Sequence, residues 1–292
     1  MSKHTVGPVQ SPSTLATDRP APPPSRPRRT GQGGGGFSAV SGPRTLSAMV
    51  LREMATSHGR SWGGYLWTII DPIGGIFMMT LVFSMVLRSP PIGTNFVIFY
   101  ATGYVPFSYF MTMTKRMSQA VDNSRALLSY PAVTITDALA SRAIVTALTG
   151  VLVAYIIFSF VLVTQETRTD PQVFSIALSM LMASALGIGV GTMNCFLYAA
   201  FPPWNTIWHI LTRPLFIVSC VFFIYDDIPR PLAEWLWYNP LVHVIGQMRV
   251  GFYHTYTGAY VSPVYVFAVS AVLTVVGLML LVRYHREIIN EW

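Results

Sequence analysis

Charge is scarce in this chain: Asp, Glu, Lys and Arg make up 11% of its 292 residues, where a soluble domain carries about 25%. Lysine occurs only at Lys3 and Lys115, and cysteine only at Cys195 and Cys220. Two cysteines inside apolar runs exclude a disulfide framework and read as packed free thiols. A Walker A loop needs a lysine that reaches the β- and γ-phosphates. Neither lysine follows the required glycines, so no P-loop ATPase site is expected here. H-E-x-x-H, C-x-x-C and close acid pairs within an apolar run are also missing, which leaves no catalytic residue and no metal ligand to nominate. His243 and His254 stand eleven residues apart, a poor spacing for two ligands on one helix face.

Apolar residues dominate, at 52% of the chain with a mean hydropathy of +0.48. A bilayer core of roughly 30 Å takes about 20 apolar residues per helical span. Runs at 65–87, 96–113, 143–163, 173–200, 206–225 and 264–283 meet that length. The fold class is therefore an all-α integral membrane protein with six transmembrane helices. That composition argues against a water-soluble enzyme, a nucleic-acid-binding domain and a secreted disulfide scaffold. The 28 residues of the fourth run exceed an upright span, so its end tilts or lies in the interface. The net charge of +7 then reflects the gathering of Lys and Arg on the cytoplasmic side. With the N-terminus inside, fourteen cations fall inside and four outside, or nine against four without residues 1–43. Both termini are expected in the cytoplasm.

Residues 1–43 hold eight of the 21 prolines and the run Gly33 to Gly36, with few large apolar side chains. Such a segment buries too little surface to offset its ordering entropy and reads as a disordered cytoplasmic tail. No apolar run of signal-peptide type follows its basic residues. Gly31 to Gly36 matches G-x-G-x-x-G, without the strand and helix that would make it a dinucleotide site. Residues 44–60 read as an amphipathic interface helix, with Leu46, Met49, Val50 and Met54 on one side. Residues 61–292 form the transmembrane part, with a cytoplasmic loop at 114–142 and a periplasmic loop at 226–263. The latter predicts two short helices, the second capped by Asn239 with Pro240 in its first turn. A plain interfacial loop is the alternative. Trp235, Trp237 and Tyr238 suit the headgroup region.

Gly59-Arg60-Ser61-Trp62-Gly63 has the spacing of a hydrolase elbow but joins an interfacial helix to a span, so it reads as a hinge with Arg60 at phosphate level. Asp71-Pro72 lies inside the first apolar run. It is either an acid beside a translocation path or the N-cap of a helix beginning at Pro72. Arg213-Pro214 in the fifth run poses the same question, with snorkelling as its alternative. Ala183, Gly187 and Gly191 form a small-residue packing stripe. Tyr65, Trp67, Tyr104 and Phe107 concentrate with other aromatics in the first two spans, where they either border a sugar path or form an interfacial belt. In the cytoplasmic loop, Ser118 to Pro131 predicts a short helix ended by the proline, with Val121, Leu127 and Leu128 on an apolar edge beside Asp122, Asn123 and Arg125. That helix either docks into a groove on a partner or lies on the lipid surface.

In this order the parts resemble a family. Arg52-Glu53-Met54, then Gly59-Arg60 through Tyr65-Leu-Trp67 to Asp71-Pro72, resembles the approach to the first span in permeases of the type-2 ABC exporter superfamily, in the capsular polysaccharide branch (polysaccharide/polyol phosphate exporters). Asp71 stands where that family usually has Glu. Asn123-Ser-Arg-Ala-Leu127-Leu128 with Tyr130-Pro131 is similar to its coupling segment, and Arg213 to Phe223 and Tyr238-Asn239-Pro240 to Phe252 are similar to its fifth span and following loop. The resemblance implies a cytoplasmic coupling helix contacting the ATPase through Asp122, Asn123, Arg125, Leu127, Leu128 and Pro131. It implies short re-entrant periplasmic helices between spans five and six. It implies a homodimer working with two copies of a separate ATPase subunit that binds ATP and Mg, so this chain holds no cofactor. A periplasmic co-polymerase and an outer-membrane exporter complete the expected partners, with no nucleic acid. The expected function is to move lipid-linked capsular polysaccharide across the bacterial inner membrane. An O-antigen or teichoic-acid-type exporter permease is the alternative, and a membrane-embedded enzyme acting on lipid-linked sugars is the alternative of another class. Arg60, Tyr65, Trp67, Asp71, Tyr104 and Phe107 are the candidates for the substrate path.

Overall fold

The computed structural model describes residues 43–58, 62–121, 134–165 and 169–284. Nine α-helices and one short 3₁₀ turn occur among them, with no strand. The helices are α1 (Pro43–His58), α2 (Trp62–Val86), α3 (Phe96–Ser118), α4 (Ile135–Thr164), α5 (Val173–Ala200), α6 (Trp204–Val218), α7 (Arg230–Trp237), α8 (Pro240–Phe252) and α9 (Pro263–Arg283). Lipid offers no partner to a backbone N–H or C=O, so an apolar run must satisfy its peptide groups internally, which a helix does. Among the described residues five helices are long and apolar enough to cross a membrane: α2 from Leu66, α3, α4, α5 and α9.

Polar residues mark the helix ends. The Asn95 side chain accepts from the Val97 N–H at 2.8 Å and opens α3. Thr134 and Asp137 cap the start of α4 reciprocally. Asn239 accepts from Leu241 N–H at 3.1 Å with Pro240 in the first turn, as the sequence predicts. Lys115 and Arg116 close α3, and Arg283 closes α9, each set where the helix dipole favours cations.

The core sits between α3 and α5. Of the span-length windows, 67% of α3 is buried inside the chain against 11% of α2. The stripe Ala183, Gly187, Gly191 faces α3: a Cβ on Gly191 would lie 2.4 Å from Met117 Cβ and 2.9 Å from the Thr114 carbonyl oxygen. The glycine is therefore required by the close approach of two backbones. On the other side α5 packs on α9, where a Cβ on Gly277 would meet the Met193 nitrogen at 2.9 Å.

Two elements depart from expectation. The apolar run at 206–225 forms a helix only over Trp204–Val218, and the chain leaves helical geometry at Ser219, with Cys220 at φ 62°. The reason lies in the packing of α8. Arg249, fully buried, donates to the carbonyls of Val221 at 2.9 Å and Phe223 at 2.8 Å, giving that irregular backbone the partners it would otherwise lack. Its guanidinium also lies 4.6 Å from the Phe99 ring centre. The second departure is Asp71, which does not begin a helix: α2 runs through Asp71-Pro72 without interruption. The two short helices expected in 226–263 are present as α7 and α8, and α8 is mostly buried against α5 and α3.

Candidate functional site

A cavity of about 750 Å³ opens between α1, α2, α3 and α4. Four cations line it (Arg52, Lys115, Arg116, Arg142) against two acids, Glu53 and Asp71. Thr68, Ser108, Thr112, Thr146 and Thr149 add hydroxyls, while Trp67 and Tyr109 supply ring faces.

Its floor is built by an ion pair. Arg142 Nε lies 2.9 Å from Glu53 Oε1, tying α4 to α1, with side-chain exposures of 9% and 18%. Because both side chains are largely screened from water, removing one would leave the other an uncompensated charge. The same guanidinium donates from Nη1 to the Gln119 carbonyl at 3.0 Å and reaches the Arg116 carbonyl at 3.5 Å. Arg142 thus caps the C-terminus of α3, where the helix dipole is negative. One side chain joins three helices where the chain enters and leaves the segment between α3 and α4.

The structure brings Trp67 and Asp71 together on this cavity. Tyr104 and Phe107 occupy a neighbouring face of α3, where both pack edge-on against Phe216 of α6 at 6.0 Å and 4.9 Å. Tyr104 also fills the space over Gly75 of α2. Tyr65 lies within α2. Arg60 and the coupling residues Asp122, Asn123, Arg125, Leu127, Leu128 and Pro131 lie outside the described residues. Sequence reasoning missed Arg142, Lys115 and Gln119 as cavity residues. The available signal for Arg142 was a lone arginine two turns into a largely apolar helix.

The arrangement offers cationic and hydroxyl partners to a polar or anionic group. Among the described residues no group of three His, Cys, Asp or Glu side chains is placed to hold a metal ion. The lining is positively biased, roomy and partly aromatic, which suits a sugar or phosphate-bearing guest.

An all-helical bundle with five helices long and apolar enough to cross a membrane, and a cation-lined cavity between α1, α2, α3 and α4, has the architecture of a helical membrane protein. Residues 44–253 match the ABC-2 type transporter family, and the chain belongs to it. It is 28% identical over 236 residues to the polysialic acid transport protein KpsM of Escherichia coli, covering 81% of this chain and 92% of that one. It is 26% identical over 247 residues to the capsule polysaccharide export inner-membrane protein CtrC of Neisseria meningitidis, covering 84% and 92%. Against the O-antigen export system permease protein RfbA of Myxococcus xanthus, 30% identity extends over only 84 residues, 29% of this chain and 32% of that one.

Proposed function

We propose that this chain is the transmembrane subunit of an ATP-driven exporter that carries lipid-linked capsular polysaccharide from the cytoplasm across the bacterial inner membrane. The observation that carries the reading is the near full-length likeness to KpsM and CtrC, spanning 92% of each. The likeness to the O-antigen permease covers a third of that protein, which favours the capsular branch.

Two copies of the permease pair with two copies of a separate ATPase, and both termini face the cytoplasm. ATP and Mg bind to that ATPase. The segment 118–131, with Asp122, Asn123, Arg125, Leu127, Leu128 and Pro131, is the coupling contact. What supports this assignment is Arg142, which ties the end of α3 to α4 at the two sides of that stretch of sequence. A push on the segment is then transmitted through α3 and α4 to the cavity walls. The fifth crossing is made by α6 continued by the irregular residues 219–224. Trp67 and Asp71 border the substrate path, together with Arg60, Tyr65, Tyr104 and Phe107. A periplasmic co-polymerase and an outer-membrane exporter receive the polymer.

A deletion strain tests the reading. Polymer of capsular composition should accumulate in its cytoplasm, and the plasmid-borne gene should restore surface polymer. Accumulation of O-antigen instead would shift the reading to the alternative. Leu127→Asp with Leu128→Asp should abolish copurification of the ATPase while membrane insertion persists; normal copurification would remove the coupling assignment.

A further inference from the structure

Asp71 and Arg213 are charges in apolar helices, and both are exposed on the single chain. Among the described residues no ion pair or side-chain hydrogen bond joins either to a partner. An uncompensated charge deep in a bilayer costs roughly 2.5–3.5 kcal/mol on insertion scales.

Their placement matches. Asp71 is nine residues from Trp62, the start of α2, and Arg213 is nine residues from Trp204, the start of α6; each is followed by proline. Four helices long enough to span, α2 to α5, precede α6, so α6 starts on the membrane face where α2 starts. At a rise of 1.5 Å per residue each charge lies about 13.5 Å from the first residue of its helix, and Asp71 lies about 7.5 Å inside the apolar span of α2 that begins at Leu66.

The surfaces around them are also unpartnered. No residue of α6 is buried, and Ile210 and Ile217, one turn either side of Arg213, are 62% and 55% exposed. On α2 the same stripe as Asp71 carries Trp67 and Met78, 69% and 59% exposed, and Gly74, above which a Cβ would meet nothing within 4 Å. The two stripes are apolar, carry their charge at the same position along the helix and are opposite in the sign of that charge.

We propose that Asp71 of one copy pairs with Arg213 of a second copy inside the membrane, twice around a two-fold axis. This rests on the reading that two copies assemble. Because Asp71 lines the cavity, α6 of the second copy then lies against the membrane-facing side of that cavity and contributes its guanidinium there.

Charge exchange between differently tagged copies tests it. Wild-type chains carrying two tags should copurify from detergent; if they do not, the two-copy reading fails first. Asp71→Arg expressed alone, and Arg213→Asp expressed alone, should lower self-copurification by roughly tenfold or more at equal membrane abundance. Coexpressed, the two variants should recover heterotypic copurification to near the wild-type level. In such a mixed pair the two substituted side chains face each other with their charges exchanged, and the native Asp71 of one copy meets the native Arg213 of the other. If wild-type tags copurify and the coexpressed variants do not, the pair does not form between copies and the proposal is overturned. The milder Asp71→Asn and Arg213→Gln give the same readout without reversed charge: preferential heterotypic pairing supports the proposal, and random mixing with homotypic pairs overturns it.

Discussion

Arg249 is a cation with no acidic partner among the described residues, and its position shows how a buried charge is made tolerable. Burial pushes its pKa down. Its work is done by two donors aimed at the carbonyls of Val221 and Phe223, the residues just past the left-handed Cys220. Arg249→Met should leave both carbonyls without a donor, at about 1–3 kcal/mol each, and thermal unfolding in detergent should register the loss. Arg249→Lys should recover part of it, since an ammonium cannot span both acceptors as a fork does. His243 poses the opposite case. Its Nδ1 accepts from Ser262 N–H at 3.1 Å, so the proton sits on Nε2, which donates to the Trp237 carbonyl at 2.8 Å. Burial lowers its pKa, and protonation would cost the Ser262 bond. The folded state then binds a proton less readily than the unfolded chain, so stability is full above the unfolded value of about 6.5 and falls as pH drops below it. Unfolding temperatures at pH 7.5 and 5.5 should differ in that direction, and His243→Asn should narrow the gap.

At the scale of elements, the bundle depends on how closely α5 approaches its neighbours. Gly191→Leu would drive a side chain into Met117 and the Thr114 backbone. The expected cost is about 1–3 kcal/mol, read as lower thermal stability and easier proteolysis of the loops flanking α3. Much of this layer is legible in residue order. The apolar runs at 173–200 and 264–283 become α5 and α9 with nearly the same limits, because a run that must satisfy its peptide groups in lipid has one local solution. The cap at Asn239-Pro240 is equally legible, since it is a property of adjacent residues. The end of α6 is not. Nothing in the run 206–225 marks Ser219 as a stopping point; the donor that stabilises the break comes from Arg249, thirty residues later. The reading of Asp71 as a cap fails for a related reason. Proline disfavours helix before it, yet α2 continues through the site, and Tyr104 of α3 packs over Gly75 about one turn later.

For the whole molecule, the division of labour is the one family membership implies. The two lysines follow no P-loop pattern, and membership of the ABC-2 type transporter family implies an ABC ATPase partner. The purified permease in liposomes should hydrolyse no ATP, and hydrolysis should appear when the cognate ATPase subunit is added; turnover by the permease alone would overturn the reading. The candidate site is half visible in the sequence. Trp67 and Asp71, singled out by their place in the first span, do line the cavity. Tyr104 and Phe107, singled out on the same grounds, pack on Phe216 of α6, because aromatic content alone does not say which face of a helix a ring occupies.

Residue order was enough to mark the long apolar runs and to place most of the helices they form, because each follows from local composition set against the thickness of a bilayer. Which side chains meet was a matter for the folded chain. Glu53 and Arg142 are 89 residues apart in sequence and 2.9 Å apart in space. No periodicity links them; they meet because α1 and α4 are packed side by side, and only that packing turns scattered cations into one cavity.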